Sequence, residues 1–349
     1  TMYTEQLKDL VKISQAAGKS PDLVQGGGGN TSVKLDDNLM AVKASGYKLK
    51  EITTNDGYVV VNYKKIKEYH EQVDLTKDID YEKESGEFVR ANVVPMEGLK
   101  PLRPSVEAGF HSILLKHVIH THPVYSNIIC CCENGRELVD EIFGGKNYGY
   151  IWIPYINPGF MLTLAIMGEV SKHVSEKGRF PQVIFMENHG LVVTADTASE
   201  CIELHEEVLD TIRSYFNITD KFPEVAIEPI SDGSFRSKTN YLNEYFKGRN
   251  LDVSFFEGTV LYPDQMVYLG GNISVNGADN KMNINTETGE IIYKTNEKEA
   301  LTMEETLMGF IYVVENIKKN NLKIKTMGSE QTDFIRNWES EKYRKSLLK

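Results

Sequence analysis

Cysteine is scarce in this 349-residue chain, with four in all, at positions 130, 131, 132 and 201. Three in a row cannot pair as the spaced cysteines of secreted domains do, so an ordinary set of disulfide staples is excluded and a reducing compartment is expected. Positive charge is also short. Thirty-nine Lys and Arg against 50 Asp and Glu leave a formal net charge of −11. The basic residues form no block, so the footprint of extended nucleic-acid binding is missing. A small anion needs only local positive charge. No apolar run is long enough to span a bilayer and no signal-peptide pattern stands near the start, which together predict a soluble cytoplasmic protein. Internal repeats and low-complexity tracts are absent too.

What is present suits a globular chain of one or two domains, with 41% apolar and 26% charged residues. Leu7, Leu10, Val11 and Ile13 recur at helical spacing between Thr4 and Ala17, and Gly18 and Pro21 end the pattern. TSVKL, LMAVKA and GYVVVNY read as an antiparallel meander, and the polar residues from Glu68 to Gly98 as surface excursions. PSVEAGFHSILLKH predicts a helix from about Ser105 to Lys116, followed at once by the strand HVIHTH. Residues 159–178 and 195–216 read as helices, with VIFMENHGLVVTA between them as a strand pair broken at Asn188 to Gly190. Composition shifts at KFPEVAIEPISDGS, which places a boundary near 225. Beyond it, VSFFEGTVLYPDQMVYLGG and the NINTETGEIIYKT hairpin look strand-rich, and ALTMEETLMGFIYVVENIKK reads as a helix. A charged helix carrying Trp338 and Tyr343 is expected at the end.

Two features carry chemistry. In QGGGGNTSVKL, residues 25 to 35, four glycines expose bare backbone whose N–H groups can form a concave anion site. The spacing is neither a Walker loop nor a dinucleotide fingerprint, and read locally the run also suits a surface turn. In HVIHTHP, His120 and His122 stand at i and i+2 of a strand and face the same way as a chelating pair. His189 in MENHGL adds a third imidazole from a sharp turn in another buried strand. Three neutral imidazoles suit a divalent ion such as zinc and leave positions open, as in a catalytic rather than a closed structural site. His70, His111, His117, His173 and His205 read as ordinary.

Taken together, GGGGNTS, VKASG, RPSVE, IHTHP and MENHG follow the order and approximate spacing of the class II aldolase/adducin family, which the chain resembles over roughly residues 4 to 220. IWIPYINPGF further resembles the aldolase portion of long bifunctional rhamnulose-phosphate aldolases. The resemblance implies a three-layer α/β fold, with a central, mainly antiparallel sheet flanked by helices. Residues 1–224 would form the metal-dependent catalytic domain and residues 225–349 a small C-terminal α/β extension, a lid or assembly element.

It further implies that Gly29, Asn30, Ser45, Gly46 and Ser105 bind a substrate phosphate, and that His120, His122 and His189 hold a divalent metal, zinc foremost. Glu107 would be the catalytic proton carrier. Val106 departs from the family's Pro-Ser-Ser-Glu motif by removing a hydroxyl, for which Lys43, Lys48 or Arg103 would compensate. The implied reaction is reversible cleavage of a ketose 1-phosphate to dihydroxyacetone phosphate and an aldehyde such as lactaldehyde, with Tyr148, Tyr150 or Tyr155 as donor to the C4 oxygen. A sugar-phosphate 4-epimerase, a sugar-acid-phosphate decarboxylase and a noncatalytic adducin-like interaction protein are the alternatives. Glu107 favours aldol cleavage over epimerisation, since the family's epimerases carry aspartate there. The resemblance also implies a homo-oligomer, a tetramer in the compact relatives, with no nucleic-acid or membrane partner.

Overall fold

The computed structural model describes residues 2–337 and 346–348. Its centre is a seven-stranded sheet of β1 (Asn30–Lys34), β2 (Leu39–Lys43), β3 (Tyr58–Asn62), β4 (His117–Thr121), β5 (Gly149–Ile153), β6 (Pro181–Met186) and β7 (Gly190–Ala195). The spatial order is β3-β2-β1-β4-β7-β6-β5, antiparallel throughout except for the β5–β6 pair. The expected meander is therefore present as β1 to β3. Register is what places the site. Asn30 is opposite His120, and Thr121 is opposite Leu191, so the glycine run, the end of β4 and the β6–β7 turn meet at one edge of the strands.

Helices cover both faces. Thr4–Ala17 buries Leu10, Ile13, Ser14 and Ala17 at the i, i+3, i+4, i+7 spacing of an amphipathic helix. Phe160–Lys177 and Ala198–Tyr215 lie where periodicity predicts them. The surface-excursion reading of 68–98 is corrected: Tyr63–Gln72 and Tyr81–Ala91 are helices, capped by Asn62, which accepts from Lys65 N, and Asp80, which accepts from Lys83 N. The predicted helix at 105–116 is shorter, spanning Ala108–Ile113, with Ser105 in the turn before it and Glu107 at its N-cap.

A second, five-stranded sheet is built from β8 (Ile227–Pro229), β9 (Phe235–Ser237), β10 (Ile273–Val275), β11 (Met282–Ile284) and β12 (Ile291–Tyr293), in the order β10-β11-β12-β9-β8. Residues 253–269 are not strands as expected but two short helices, Val253–Glu257 and Pro263–Leu269. Helix Glu297–Lys319 packs on helix Val124–Cys130, and Ile128, Leu307 and Phe310 belong to one hydrophobic cluster. The terminal helix spans Ser329–Asn337; Trp338 and Tyr343 lie outside the described residues. Among the described residues no helix is long and apolar enough to cross a membrane.

All four cysteines are free thiols and buried. Burial pushes the Cys130 and Cys131 thiols well up and Cys132 to about 11. Because the thiolate is the nucleophile, native protein at neutral pH is expected to leave all four unmodified by an aromatic disulfide reagent, and to titrate four after unfolding in denaturant. Rapid labelling of a thiol in the native state would contradict this burial.

Candidate active site

His120 is completely buried near the end of β4, where its Nδ1–H donates to the Leu191 carbonyl at 3.0 Å across the β4–β7 pair. In the neutral ring this leaves the Nε2 lone pair free to face inward. His122, just past the strand, brings its own Nε2 to 3.2 Å from His120 Nε2. His189 arrives from the β6–β7 turn, where Asn188 takes a left-handed φ of 51°. One ligand atom from each of the three buried histidines lies within 4.8 Å of the others.

Glu107 lies across two of these rings. Its Oε1 is 3.3 Å from His120 Nε2 and its Oε2 is 3.3 Å from His189 Nε2. Burial alone would raise its pKa, but the positive charge of the His120 and His189 rings beside it holds the carboxyl well below the usual range. Glu107 in turn raises His120 against the downward push of burial. His122 is lowered, burial outweighing the neighbouring Asp264 carboxylate. The donor set fits a divalent ion: three convergent imidazole nitrogens, a carboxylate beside them, and buried Glu107 Oε2 and His189 Nδ1 with no hydrogen-bond partner among the described residues.

The expected phosphate residues gather on the same pocket, which is lined by Gly27, Gly29, Asn30, Ser45, Gly46 and Ser105 together with Glu107, His122 and His189. Gly29 has φ +74°, and a Cβ there would lie 2.7 Å from the His120 carbonyl, so no side chain is accommodated where the run passes β4. Ser105 Oγ accepts from Glu107 N at 3.1 Å and from Asn30 Nδ2 at 3.4 Å. Of the three compensating cations, Lys43 lines the pocket, its buried ammonium donating to the Gly27 and Ala44 carbonyls at 3.3 Å. Arg103 lines a neighbouring cavity, and the Lys48 backbone N–H is held by Glu51 on a short turn.

The three tyrosines chosen from sequence do not line this pocket. Tyr148 donates to Glu207, Tyr150 to Asp140 at 2.8 Å, and Tyr155 to Asn157 at 3.2 Å. The pocket's tyrosine is Tyr262, followed by Pro263 and Asp264, all from the part of the chain in which sequence reading found no site residue. His111 was also missed. It is neutral, because burial first and then His120 lower its pKa well below the usual value. Its Nε2–H donates to Asn30 Oδ1, and its Nδ1 accepts from Ser32 Oγ at 2.6 Å. The Asn30 amide is thereby turned so that its Nδ2 donates to Glu107 Oε1 at 2.9 Å.

Beneath His111, Lys34 keeps part of its stem exposed but donates from its ammonium to the His111 and Leu115 carbonyls at 2.9 Å each. Burial, then repulsion from Lys67, lowers its pKa from 10.5 to about 7. Unfolded chains therefore hold this proton in the window from about 7 to 10.5 where folded chains do not. Stability from this group rises with pH across that window. Its destabilising effect is complete below about 7 and gone above 10.5. Denaturant titrations should show wild type gaining on Lys34→Met by on the order of a few kcal/mol between neutral pH and pH ~10. Parallel pH profiles for the two proteins would refute the assignment.

A family model described as the Class II Aldolase and Adducin N-terminal domain matches residues 8–216. The chain belongs to this family. An uncharacterized oxidoreductase, YuxG, from Bacillus subtilis is 28% identical over 220 residues, covering 60% of this chain. The chain spans only 30% of that relative's length. A 3-oxo-tetronate 4-phosphate decarboxylase from Haemophilus influenzae is 23% identical over 206 residues, 55% of this chain and 79% of the relative. The solved N-terminal class II aldolase domain of a conserved protein from Thermoplasma acidophilum superposes with a TM-score of 0.50 at 26% identity. That match covers 62% of this chain and 95% of the solved one. The class II aldolase fold expected from the sequence is thus the fold observed, with the second sheet and its helices added after it.

Proposed function

We propose that this class II aldolase family member is a metal-dependent aldehyde-lyase that reversibly cleaves a ketose 1-phosphate to dihydroxyacetone phosphate and an aldehyde such as lactaldehyde. The observation that carries the reading is the meeting of His120, His122 and His189 with Glu107 beside Gly29, Asn30, Ser45, Gly46 and Ser105. A divalent ion, zinc foremost, held by the three histidines would supply Lewis-acid stabilisation for the negative charge that develops as the C3–C4 bond breaks.

The side chains do the rest. The Gly29 backbone, the Asn30 amide and the Ser45 and Ser105 hydroxyls hold the phosphate, and so orient the sugar. In cleavage the Glu107 carboxylate takes up the proton that the C4 hydroxyl releases as the aldehyde forms and delivers it to the carbon left electron-rich. In the condensing direction it removes the proton from that carbon as general base and returns it to the new C4 oxygen. Asn30, held by His111, steadies the Glu107 oxygen that faces His120. Ser105 and Val106 also line a neighbouring cavity of about 550 Å³, to which Arg90 and Arg103 contribute positive charge.

Decarboxylation of a sugar-acid phosphate is the second reading, favoured by the likeness to the Haemophilus enzyme. An assay of zinc-loaded protein on a panel of ketose 1-phosphates, reading dihydroxyacetone phosphate, separates them. Release of that product from one sugar supports the aldolase. Inert sugars, with carbon dioxide evolved from a sugar-acid phosphate, transfer the site to the decarboxylase. Protein that takes up no zinc or manganese and leaves every substrate intact would be the adducin-like scaffold. The same proposal includes a homo-oligomeric state, readable by light scattering.

A further inference from the structure

The family model ends at residue 216, yet a carboxylate far beyond it reaches the histidine cluster. Asp264 Oδ2 lies 3.0 Å from His122 Nδ1, and Asp264 is only 3% exposed. Its place is fixed from several sides. Pro263 begins the helix that carries it, and the Gln265 side chain ties the preceding loop by accepting from Leu261 N at 2.8 Å and donating to the Thr259 carbonyl at 2.7 Å.

The loop is also fastened to the turn that presents His189. Asn188 Nδ2 donates to the Leu261 carbonyl and to the Lys325 carbonyl at 2.8 Å each. On the other side the glycine run makes room. A Cβ on residue 28 would stand 2.5 Å from Asp264 Oδ2 and 3.0 Å from His122 Nδ1, so the carboxylate reaches the ring only because residue 28 is glycine. A few residues along, Gly26 N donates to Glu305 Oε1 at 2.8 Å, from helix Glu297–Lys319. Of two carboxylates from the C-terminal part of the chain, Glu305 thus binds the glycine run and Asp264 lies against it on the way to His122.

We propose that Asp264 is a positioning residue of the active site: by accepting the Nδ1–H of His122 it fixes the tautomer whose Nε2 is free to bind the ion. The proposal rests on the metal-site reading above. A neutral imidazole exchanges its proton between two nitrogens, and a proton on Nε2 blocks the ligand atom. His120 gets the same service from a backbone carbonyl, which its strand partner supplies automatically. His122 lies past the strand end and has no such partner, so a side chain from elsewhere in the chain takes the role. Residues after 225 are then part of the catalytic apparatus rather than an appendage.

The test uses the full chain. Zinc affinity is measured by chelator competition for wild type, Asp264→Ala and Asp264→Asn, and the His122 tautomer by ¹⁵N NMR of metal-free protein. Asp264→Ala is expected to weaken zinc binding about 10–100-fold. Asp264→Asn, whose amide oxygen still accepts from Nδ1–H, should recover most of that loss, and wild-type His122 should carry its proton on Nδ1. A wild-type proton on Nε2, or a folded Asp264→Ala that binds zinc as tightly as wild type, overturns the proposal. The tautomer measurement needs no variant, so it decides the matter even if Asp264→Ala does not fold. Tight zinc binding with the proton on Nε2 removes the positioning role alone. Absence of zinc uptake by wild type removes the metal reading and the proposal with it.

Discussion

If the protein is the proposed aldolase, Glu107→Gln is expected to lower turnover of a ketose 1-phosphate by about 10²–10⁴-fold, the range for loss of a positioned general acid–base group. The change is close to isosteric. Glutamine keeps an oxygen to accept from Asn30 Nδ2, and the backbone N–H at 107 keeps its bond to Ser105 Oγ. What disappears is the negative charge held between His120 and His189 and the capacity to carry a proton. Steady-state release of dihydroxyacetone phosphate gives the rate, and zinc content measured on the same sample separates lost proton transfer from lost metal. A fully zinc-loaded variant turning over at the wild-type rate would mean that another group moves the proton.

His189→Ala should have the larger effect on the metal itself, weakening zinc by more than about 100-fold, beyond the range for residues that only support a ligand. Activity should fall to background with it. The β6–β7 turn need not collapse, because Asn188 still holds the Leu261 and Lys325 carbonyls. His205→Ala is the matched control. His205 is equally buried, but its Nε2 bonds Thr121 Oγ1 on the opposite face of β4, so its loss should leave zinc stoichiometry unchanged. Wild-type zinc affinity in His189→Ala would show that the third imidazole is not a ligand.

The two predictions differ in how readily the sequence suggested them. His120 and His122 are two residues apart on a strand, and strand geometry alone makes them neighbours. His189 was chosen from its place at a sharp turn in a second buried strand and Glu107 through the order of five short motifs, but nothing local says that residue 107 lies beside residue 189. The misreadings have local causes. Phe255, Val260, Tyr262, Val267 and Tyr268 belong to types enriched in strands, and so residues 253–269 suggested a sheet. Asp252, which caps one helix by accepting from Ser254 N, and Pro263 at the first turn of the next were the stronger signals. Asn62 and Asp80 were similar N-cap signals before helices concealed by their polar faces.

The sequence by itself determined the elements that local chemistry dictates: the first helix, the strand meander, the glycine run with its bare backbone, and the motif set that defines the family. Only the tertiary structure decided that His111 holds the Asn30 amide and that Asp264 holds His122. The physical reason is that these are contacts between single side chains 81 and 142 residues apart. Neither partner leaves a periodicity, a cap or a turn signature in its own neighbourhood, so each acquires its role only when the sheet register and the helix packing bring it to the other.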